Sequence, residues 1–355
     1  MAGKPLVSFL MPAYNAGSTI GRAVYSILAQ RDAPELEAVV VDDGSTDNTA
    51  DVLEGLASKD RRLKVVNITH QGLVQALVTG QSICRGDFLA RLDADDIAHP
   101  LRVKEQFALI NSDPRLGLIG SQVRYFPRKN LREGLLLYET WLNSLLETGE
   151  IKGGARSTAR IHEKIMRELF VECPLAHPTF FMRRKAFEAV GGYRDFRGLP
   201  EDYDLLLRMV AGGWRLGGAG RVLHLWREHP ARASWNDRRY SDENFRELKL
   251  HYLLKIRLDN GARPVSICGA GPVGKAWLKE LQARGVEVRY LFEVNPRKIG
   301  RSIHGVPVIR AEDLPPRSDP GLILGAVGQR GAREKVRKSL DPLGFREGED
   351  YILVA

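Results

Sequence analysis

Apolar and polar residues follow a repeating pattern over the first 121 residues of the chain. Three short runs, at 6–11, 36–41 and 88–92, are mostly apolar, with one polar residue each, rather than alternating, which is typical of strands buried on both faces of a parallel sheet. Between the runs, apolar residues recur at helical spacing, as in Ile20, Ala23, Val24, Ile27 and Leu28. This succession predicts an α/β fold with a mostly parallel sheet flanked by helices.

Polar side chains of the kinds that bind ligands follow each of these predicted strands. In chain order, the segments are Pro12-Ala13-Tyr14-Asn15, Asp42-Asp43-Gly44-Ser45 and Asp93-Ala94-Asp95-Asp96. Parallel strands place their carboxyl ends at one edge of a sheet, which is where open α/β sheets bind ligands. The sequence therefore predicts that the three segments form one binding site.

The third segment carries the clearest chemistry. In an extended chain, side chains two positions apart share a face, so Asp93 and Asp95 can point at the same ligand, and the small Ala94 leaves room for it. Carboxylate oxygens suit Mg²⁺ or Mn²⁺, whose coordination is usually completed by water and a substrate phosphate. The same residues also suit a plain acidic turn before a helix, because Pro100 is well placed for the first turn of one.

Together with residues 173–179, 191–193 and 200–205, these three segments resemble the family 2 glycosyltransferases of the GT-A fold. The resemblance covers about the first two thirds of the chain, and several motifs in a fixed order are more specific than any one alone. It implies an inverting transfer of a sugar from a nucleotide-sugar donor to a hydroxyl acceptor. A divalent metal would take part, and the product would be a polysaccharide or glycoconjugate.

The resemblance also implies donor-binding roles for the first two segments. Tyr14 would stack on the nucleobase with Pro12 beside it, and Ala13 and Asn15 belong to the same donor-binding segment. Asp43 would accept a hydrogen bond from a base N–H. Taken without the resemblance, Tyr14 is a packing residue and Asp43 forms a tight turn before a glycine.

For the third segment, the resemblance implies that Asp93 binds the ribose hydroxyls, with Ala94 against the donor, and that Asp95 binds the metal bridging the diphosphate. It also places His229 near the metal or the diphosphate, although a histidine before a proline is an ordinary loop residue as well. The chain departs from the family at 77–78, where Leu-Val replaces a frequent Arg-Asn. Any donor contact by that pair is therefore absent.

A predicted helix that begins near residue 200 supplies the candidate catalytic base. Asp202 and Asp204 point nearly opposite ways on such a helix. Asp202 falls on the apolar stripe, where partial desolvation can raise its pKa toward base function, and the resemblance also places the base there. Asp204 lies four residues before Arg208, which predicts an exposed ion pair. Acids in a first turn also complement the helix dipole, and that explanation suffices for Glu201.

The remaining regions suggest a helical insert and a second domain. Apolar residues at helical spacing predict an insert over 134–172, which by analogy with the fold family shapes the acceptor side. We place the glycosyltransferase domain at 1–260 and a second domain at 261–355. The boundary follows a helix that ends near 259–261, where Asp-Asn-Gly stops it.

The sequence pattern of the second domain predicts a Rossmann-like fold. A strand at 265–268 leads into Gly269-Ala270-Gly271-Pro272-Val273-Gly274 and a helix, and Glu293 follows at the distance of a ribose-binding acid. The domain, especially residues 295–300, is similar to the small nucleotide-binding-like domain of sugar acyltransferases. Too few residues remain for a separate catalytic domain, so we expect a binding or docking role rather than bound NAD.

The composition of the chain limits which partners it is expected to bind. The net charge of +9 suits a partner that bears phosphates, but no concentrated Lys/Arg run with interleaved aromatics is present, so nucleic acid is not expected. No apolar stretch approaches the ~18 residues that span a bilayer, so any membrane contact would be peripheral. The early first strand leaves no room for a signal peptide, and three scattered cysteines suit a reducing compartment; both predict a cytoplasmic protein. The acceptor would be a glycan, a lipid-linked compound or another hydroxyl compound.

Two other enzyme classes fit part of the pattern. A nucleotidyltransferase that makes a nucleotide-sugar also uses metal-bound carboxylates at strand ends, but it is expected to carry a Gly-rich basic phosphate loop after the first strand. Pro12-Ala13-Tyr14-Asn15 lacks such a loop. An NAD-dependent oxidoreductase acting through the second domain would leave the first domain as a binding module.

Overall fold

The computed structural model describes residues 6–148, 154–293, 297–315, 320–329 and 331–355. Residues 295–296 of the acyltransferase-like stretch and 149–153 of the predicted insert lie outside the described residues. The chain forms two compact units. The first comprises residues up to Ile165 and Pro174–Tyr240, and the second comprises Met166–Cys173 and Ser241–Ala355.

The first unit is built on an eight-stranded sheet. Its strands are β1 (Val7–Ala13), β2 (Leu36–Asp42), β3 (Leu63–Asn67), β4 (Phe88–Arg91), β5 (Ile97–Ala98), β6 (Leu116–Phe126), β7 (Phe181–Arg183) and β8 (Arg215–Arg227). The strand order is β3-β2-β1-β4-β7-β6-β8-β5. Strands β1 to β4 are parallel to one another, β6 is parallel to β8, and β7 and β5 run antiparallel to their neighbours. This architecture confirms the predicted mostly parallel α/β sheet.

Most of the helices in this part of the chain pack against the sheet. The helices are α1 (Ile20–Leu28), α2 (Thr49–Ala57), α3 (Leu73–Ile83), α4 (Arg102–Asn111), α5 (Glu133–Leu145), α6 (Gly154–Glu168), α7 (Arg184–Ala189), α8 (Glu201–Ala211) and α9 (Ala233–Asn236), of which the short α9 buries none of its residues. Every residue of β1, β2 and β4 is buried, as mostly apolar runs predict for strands covered on both faces. Helix α1 faces this core with its apolar stripe of Ile20, Ala23, Val24 and Ile27.

The register of the central strands brings their carboxyl ends together. Ala13 at the end of β1 pairs with Asp42 at the end of β2, and Leu10 pairs with Arg91 at the end of β4. The segments that follow these strands therefore emerge at one edge of the sheet, as parallel topology requires. This edge is where the sequence predicts the binding site.

The second unit contains a smaller six-stranded sheet. Its elements are α10 (Asp242–Arg257), β9 (Val265–Cys268), α11 (Pro272–Ala283), β10 (Val288–Phe292), β11 (Ser302–Ile303), β12 (Val306–Ile309), β13 (Leu322–Gly325), α12 (Ala332–Leu340) and β14 (Tyr351–Leu353). The order is β11-β12-β10-β9-β13-β14, parallel except between β11 and β12. A glycine is required at 274, because a Cβ there would lie 1.7 Å from the carbonyl oxygen of Gly269. This packing holds α11 close to β9.

The second unit begins earlier than the predicted boundary after residue 260. Helix α10 belongs to it, and so does the separate segment Met166–Cys173. Buried Lys249 on α10 shows why, since its ammonium group donates to the carbonyl oxygens of Val171 (2.6 Å) and Val354 (3.4 Å). The apolar repeat of α10 identifies the helix correctly but does not reveal the unit against which it packs. Among the described residues, no helix is long and apolar enough to cross a bilayer.

Candidate active site

Three carboxylates meet where the chain leaves β4. Oxygen atoms of Asp93, Asp95 and Asp96 lie within 4.8 Å of one another. A tight turn gathers them, because the amide of Asp96 donates to the carbonyl oxygen of Asp93 at 3.3 Å. Ala94 is buried between the two acids that the sequence pattern pairs. The structure thus brings Asp93 and Asp95 together, as predicted, and adds Asp96.

Strand β8 and the residues after it hold this cluster in place. The His224 ring nitrogen Nε2 lies 2.8 Å from Asp96 Oδ2, and the Arg227 amide donates to Asp96 Oδ1 at 2.6 Å. His229 Nε2 lies 2.8 Å from Asp95 Oδ2. His229 is therefore in direct contact with Asp95, the predicted metal ligand. His224 and Asp96 have no role in the sequence-based prediction.

The electrostatics of the cluster fit a divalent cation. Burial, together with the charges of Asp96 and Asp93, raises the pKa of Asp95 to about 6 despite the opposing contact with His229. Burial also raises the pKa of Asp96 well above its usual range. Clustered carboxylates repel one another in a low-dielectric site, and a hard cation with oxygen preference relieves that repulsion. The donor set present therefore fits Mg²⁺ or Mn²⁺.

A buried arginine orients the first acid of the cluster. Arg91 ends β4, is 1% exposed, and pairs with Asp93 through Nη1 and Oδ1 at 2.5 Å. The Asp93 side chain remains one-third exposed, so it is accessible to a ligand while one oxygen is held. An arginine inside an otherwise apolar strand is the sequence signal that could have identified this contact.

Tyr14 lies beside the cluster-bearing edge with an accessible ring. It is 47% exposed, and one face stacks on the His70 ring with a centroid distance of 4.1 Å. A nucleobase could therefore stack on its other face. The sequence-based prediction does not include His70 in the site. His70 nevertheless follows β3 at the same sheet edge, where strand topology would have placed it. Pro12 and Ala13 are buried in β1 and position Tyr14.

Asp43 is buried and already tied to the start of α3. Its Oδ1 accepts from the Gln71 amide and its Oδ2 from the Gly72 amide, each at 2.8 Å, and His70 Nδ1 lies 2.8 Å from Oδ2. The carboxylate thus binds the amide of the α3 N-cap, Gly72, and that of the residue before it. Oδ1 has one partner and keeps a second lone pair, so a base N–H can still bind there.

Asn15 joins the first two segments. Its side-chain oxygen accepts from the Thr46 amide at 2.8 Å, and its own amide donates to Ser45 Oγ at 2.9 Å. Asp42 holds the same turn, since its Oδ1 accepts from the Ser45 amide at 3.0 Å. Asn15 and Asp42 therefore make contacts within the protein that fix the loop carrying Tyr14. Leu77, at the place of the family's frequent arginine, is buried in the core.

On α8, the structure contradicts the predicted exposed position of Asp204. Its side chain is fully buried and accepts from Arg208 Nε at 2.8 Å and from Arg194 Nη2 at 3.0 Å. The prediction assumes that α8 has a solvent-exposed face. Most of the helix is instead enclosed, and Arg194 on the preceding segment supplies a second cation to the buried carboxylate. An i, i+4 pair with an arginine therefore does not mark a surface position here.

Asp202 is the accessible acid of this first turn. Its side chain is partly exposed, and its Oδ1 lies 2.7 Å from the amide nitrogen of Tyr203. The neighbouring Glu201 is buried and its pKa is raised by that burial, so it does more than complement the helix dipole. His177, also buried, lies 2.8 Å from the Tyr193 hydroxyl through Nε2. Asp202 is therefore better exposed to a substrate than either neighbouring acid of α8.

Comparison with known proteins defines the class of the chain. The sequence model of "Glycosyl transferase family 2" matches residues 8–191, which is more than half of the chain and contains the sheet edge with its aspartates. A mostly parallel sheet with these strand-end motifs is that of a GT-A glycosyltransferase. The chain belongs to glycosyl transferase family 2. The resemblance inferred from its motifs is confirmed.

Individual relatives agree with this family. The chain is 29% identical to the putative glycosyltransferase EpsE of Bacillus subtilis over 232 residues, or 64% of this chain and 75% of that protein. It is 34% identical to the chondroitin synthase of Escherichia coli over 210 residues, or 59% of this chain but 27% of that protein. The chain thus spans three quarters of one relative and about a quarter of the other.

A solved structure shares the fold. The crystal structure of S. aureus TarS 1-349 in complex with UDP-GlcNAc superposes with a TM-score of 0.54 at 18% identity. The match covers 78% of this chain and 72% of the TarS chain. At this identity the likeness establishes the fold, and the chemistry must be argued from the residues of this chain.

Proposed function

We propose that this glycosyltransferase moves a sugar from a nucleotide-sugar donor to a hydroxyl acceptor, with inversion at the anomeric carbon and with a divalent cation. The observation that carries the proposal is the Asp93, Asp95 and Asp96 cluster at a sheet edge that also presents Tyr14 and Asp43. The relative named chondroitin synthase and the TarS complex with UDP-GlcNAc support a nucleotide-sugar donor and a polysaccharide or glycoconjugate product. The acceptor would be a glycan, a lipid-linked compound or another hydroxyl compound.

The nucleoside would bind across the ends of β1, β2 and β4. Tyr14 would stack on the base, with Pro12, Ala13 and Asn15 fixing its loop. Asp43 would accept a base N–H through a free lone pair. Asp93, oriented by Arg91, would bind the ribose hydroxyls, and buried Ala94 would allow the donor to approach the turn.

Asp95 would hold the cation, with His229 in contact with it and Asp96 behind it. A bound Mg²⁺ or Mn²⁺ would neutralise the charge that develops on the departing nucleoside diphosphate. The chain's own residues prepare that site, since His224 and the Arg227 amide hold Asp96, and Arg91 holds Asp93. The carboxylates are then oriented before the donor arrives.

Asp202 would act as the general base. It would take the proton of the acceptor hydroxyl while that oxygen bonds to the anomeric carbon and the bond from this carbon to the phosphate oxygen breaks. The nucleoside diphosphate leaves with the bonding electron pair, and attack from the opposite face inverts the configuration. A partly exposed carboxylate at the start of a buried helix suits this role, because it meets substrate while its backbone is fixed.

The second unit gives little support to NAD chemistry. The carboxylate of Glu293, at the place of a ribose-binding acid, accepts from Lys298 Nζ at 2.9 Å and lies 3.3 Å from the Ala270 amide nitrogen. Both contacts are made by Oε2, so this oxygen is already engaged within the protein. A binding or docking role for this unit, and a cytoplasmic location for the protein, stay predictions.

Product analysis tests the proposal against its rivals. The protein would be incubated with a panel of UDP- and GDP-sugars in Mn²⁺ buffer, with and without EDTA. Metal-dependent release of nucleoside diphosphate and free sugar is the expected result. In a parallel incubation with a sugar phosphate and a nucleoside triphosphate, release of pyrophosphate would instead indicate a nucleotidyltransferase. Oxidation or reduction of NAD(H), followed by absorbance, would indicate the oxidoreductase.

A further inference from the structure

A fully buried carboxylate adjoins the proposed base without taking part in the steps above. Glu201 is the first residue of α8 and its side chain has no exposed surface. Burying a carboxylate is costly unless hydrogen bonds and nearby cations compensate. It cannot meet an acceptor directly, so its contacts must explain what it does.

The short side-chain contact to Glu201 comes from a tyrosine. The Tyr240 hydroxyl lies 2.9 Å from Oε1 and 3.1 Å from Oε2, so both oxygens face the same donor. His177 Nδ1 at 3.7 Å and Arg239 Nε at 3.9 Å are too distant for hydrogen bonds. The Tyr240 hydroxyl is therefore the side chain that orients the carboxylate, which the backbone amide of Glu201 itself also contacts.

The first turn of α8 depends on these outside contacts. Pro200 precedes the helix and provides no side-chain hydrogen bond to the unpaired amides of the first turn. Arg239, next to Tyr240, donates from Nη1 to the carbonyl oxygen of Leu199 at 3.2 Å. Tyr240 and Arg239 thus hold the chain on both sides of Pro200, immediately before Asp202.

The same network extends to the donor side. His177 lies beside Glu201 and contacts the Tyr193 hydroxyl at 2.8 Å. Burial raises the pKa of Tyr193, the Arg91 cation opposes this, and the charges of Glu201, Asp202 and Asp93 add to it. The Tyr193 hydroxyl is therefore electrostatically coupled to the donor-side acid Asp93 and to both acids of α8.

One segment touches both halves of the site. The residues after β8 include His229, which contacts Asp95, and end at Tyr240, which contacts Glu201. From this geometry we infer that Glu201 and Tyr240 are positioning residues for the reaction. Their hydrogen bond fixes the first turn of α8 so that Asp202 meets the acceptor hydroxyl in the correct place. This inference rests on the proposed function, in which Asp202 is the base.

The test uses variants that remove the bond without emptying the site. Tyr240→Phe deletes only the hydroxyl. Glu201→Gln keeps an oxygen that accepts from Tyr240, whereas Glu201→Ala removes it. The matched controls are Tyr25→Phe, at an exposed tyrosine of α1, and Glu188→Gln, at an exposed glutamate of α7. Each protein would be assayed for Mn²⁺-supported nucleoside diphosphate release from the UDP- or GDP-sugar that wild type cleaves fastest.

A positioning role predicts a loss in kcat alone. A displacement of about 1 Å can cost ~10²-fold, so Tyr240→Phe and Glu201→Ala should lower kcat by roughly 10- to 100-fold while the donor KM changes less than about twofold. Glu201→Gln should restore most of the rate, and both controls should match wild type. Melting curves and circular dichroism would show that the variants remain folded at the assay temperature.

Three results would overturn the inference. Tyr240→Phe could keep its kcat, or could lose activity only in proportion to its folded fraction, which would indicate a purely structural bond. Glu201→Gln could lose as much as Glu201→Ala, which would make the charge and not the bond essential. Asp202→Asn separates this inference from the proposed function, because a fully active Asp202→Asn refutes the base itself. An inactive Asp202→Asn beside a normal Tyr240→Phe refutes the positioning role alone.

Discussion

The sheet edge and the first turn of α8 both carry clustered acids, but the sequence predicts them with different success. At the sheet edge, Asp93, Asp95 and Asp43 lie where strand topology places them. On α8, the predicted exposed acid, Asp204, is fully buried. The ends of parallel strands converge whatever packs around them, whereas the environment of a helical residue depends on neighbours that are distant in sequence.

Helical periodicity fails on α8 because the helix has little exposed surface. Tyr203 and Leu205, Leu206 and Leu207 are all 0% exposed, so an apolar stripe cannot be told from the rest of the helix. An acid on such a helix is placed by the cation it meets. Asp204 meets Arg194 and Arg208, and Asp202 keeps contact with solvent. The sequence pattern favours Asp202 as the base because of its place on an apolar stripe, and the structure does not support that reason. The accessibility of Asp202 in the structure still favours it as the base.

The largest effect should come from removing the proposed base. Asp202→Asn keeps the shape of the side chain but cannot take the proton from the hydroxyl of the acceptor substrate, so the transfer rate should fall by ~10²–10⁴-fold. Binding of the nucleoside diphosphate should persist, because Asp202 acts on the acceptor. Single-turnover rates and calorimetric binding would be measured on the same preparation. A normal transfer rate in Asp202→Asn would show that Asp202 is not the general base.

The next effect should fall on stability at Asp204. Replacing it with Asn removes the buried carboxylate that Arg194 and buried Arg208 contact, so the free energy of unfolding should drop by about 3–5 kcal/mol. The control is Asp51→Asn, at an exposed acid in the first turn of α2, where about 0.3–1 kcal/mol is expected. Urea unfolding would compare them. Equal small losses would mean that Asp204 behaves as the exposed residue the sequence predicts.

A pH effect should follow from His177, which packs beside α8. Burial lowers the pKa of His177 well below its ordinary value of about 6.5, with the Arg91 charge acting in the same direction. The unfolded chain therefore binds a proton at this histidine more readily than the folded chain does. The contribution of neutral His177 to the free energy of unfolding is complete above pH ~6.5 and is lost as the pH falls, by at most about 1.4 kcal/mol per pH unit. His177→Gln should flatten the decrease in unfolding free energy between pH 7.5 and 5.5. Parallel decreases in both proteins would contradict this.

A smaller effect is expected at the sheet edge from Tyr14. Tyr14→Ala removes the stacking surface, and a stacked ring pair contributes about 0.5–1.5 kcal/mol, so nucleoside diphosphate should bind several-fold more weakly. Tyr25→Ala, at another exposed tyrosine, should bind as wild type does. Calorimetry with UDP and GDP would measure both. An unchanged affinity for each nucleotide would return Tyr14 to the role of a packing residue.

The sequence predicts the binding edge and its main acids, but not the contacts that hold them. His224 is separated from Asp96 by 128 residues, and Tyr240 from Glu201 by 39, and neither histidine nor tyrosine carries a local motif. The two compact units divide between Tyr240 and Ser241, earlier than the predicted boundary, because the apolar pattern of α10 does not reveal the unit against which the helix packs. The roles of Arg91 and His70 could have been predicted from the sequence. Arg91 interrupts an apolar strand, and His70 follows β3 at the predicted binding edge.

The central claim is that the acids after β4 bind a divalent cation together with a nucleoside diphosphate. Calorimetric titration of UDP and GDP, with Mn²⁺ and with EDTA, tests it most directly on wild type, Asp95→Asn and the control Asp51→Asn. We expect Mn²⁺ to tighten binding of at least one nucleotide by about tenfold or more, equivalent to ~1.4 kcal/mol, in wild type and the control, and not in Asp95→Asn. Binding that ignores Mn²⁺ in wild type, or that keeps its full metal dependence in a folded Asp95→Asn, would contradict the account.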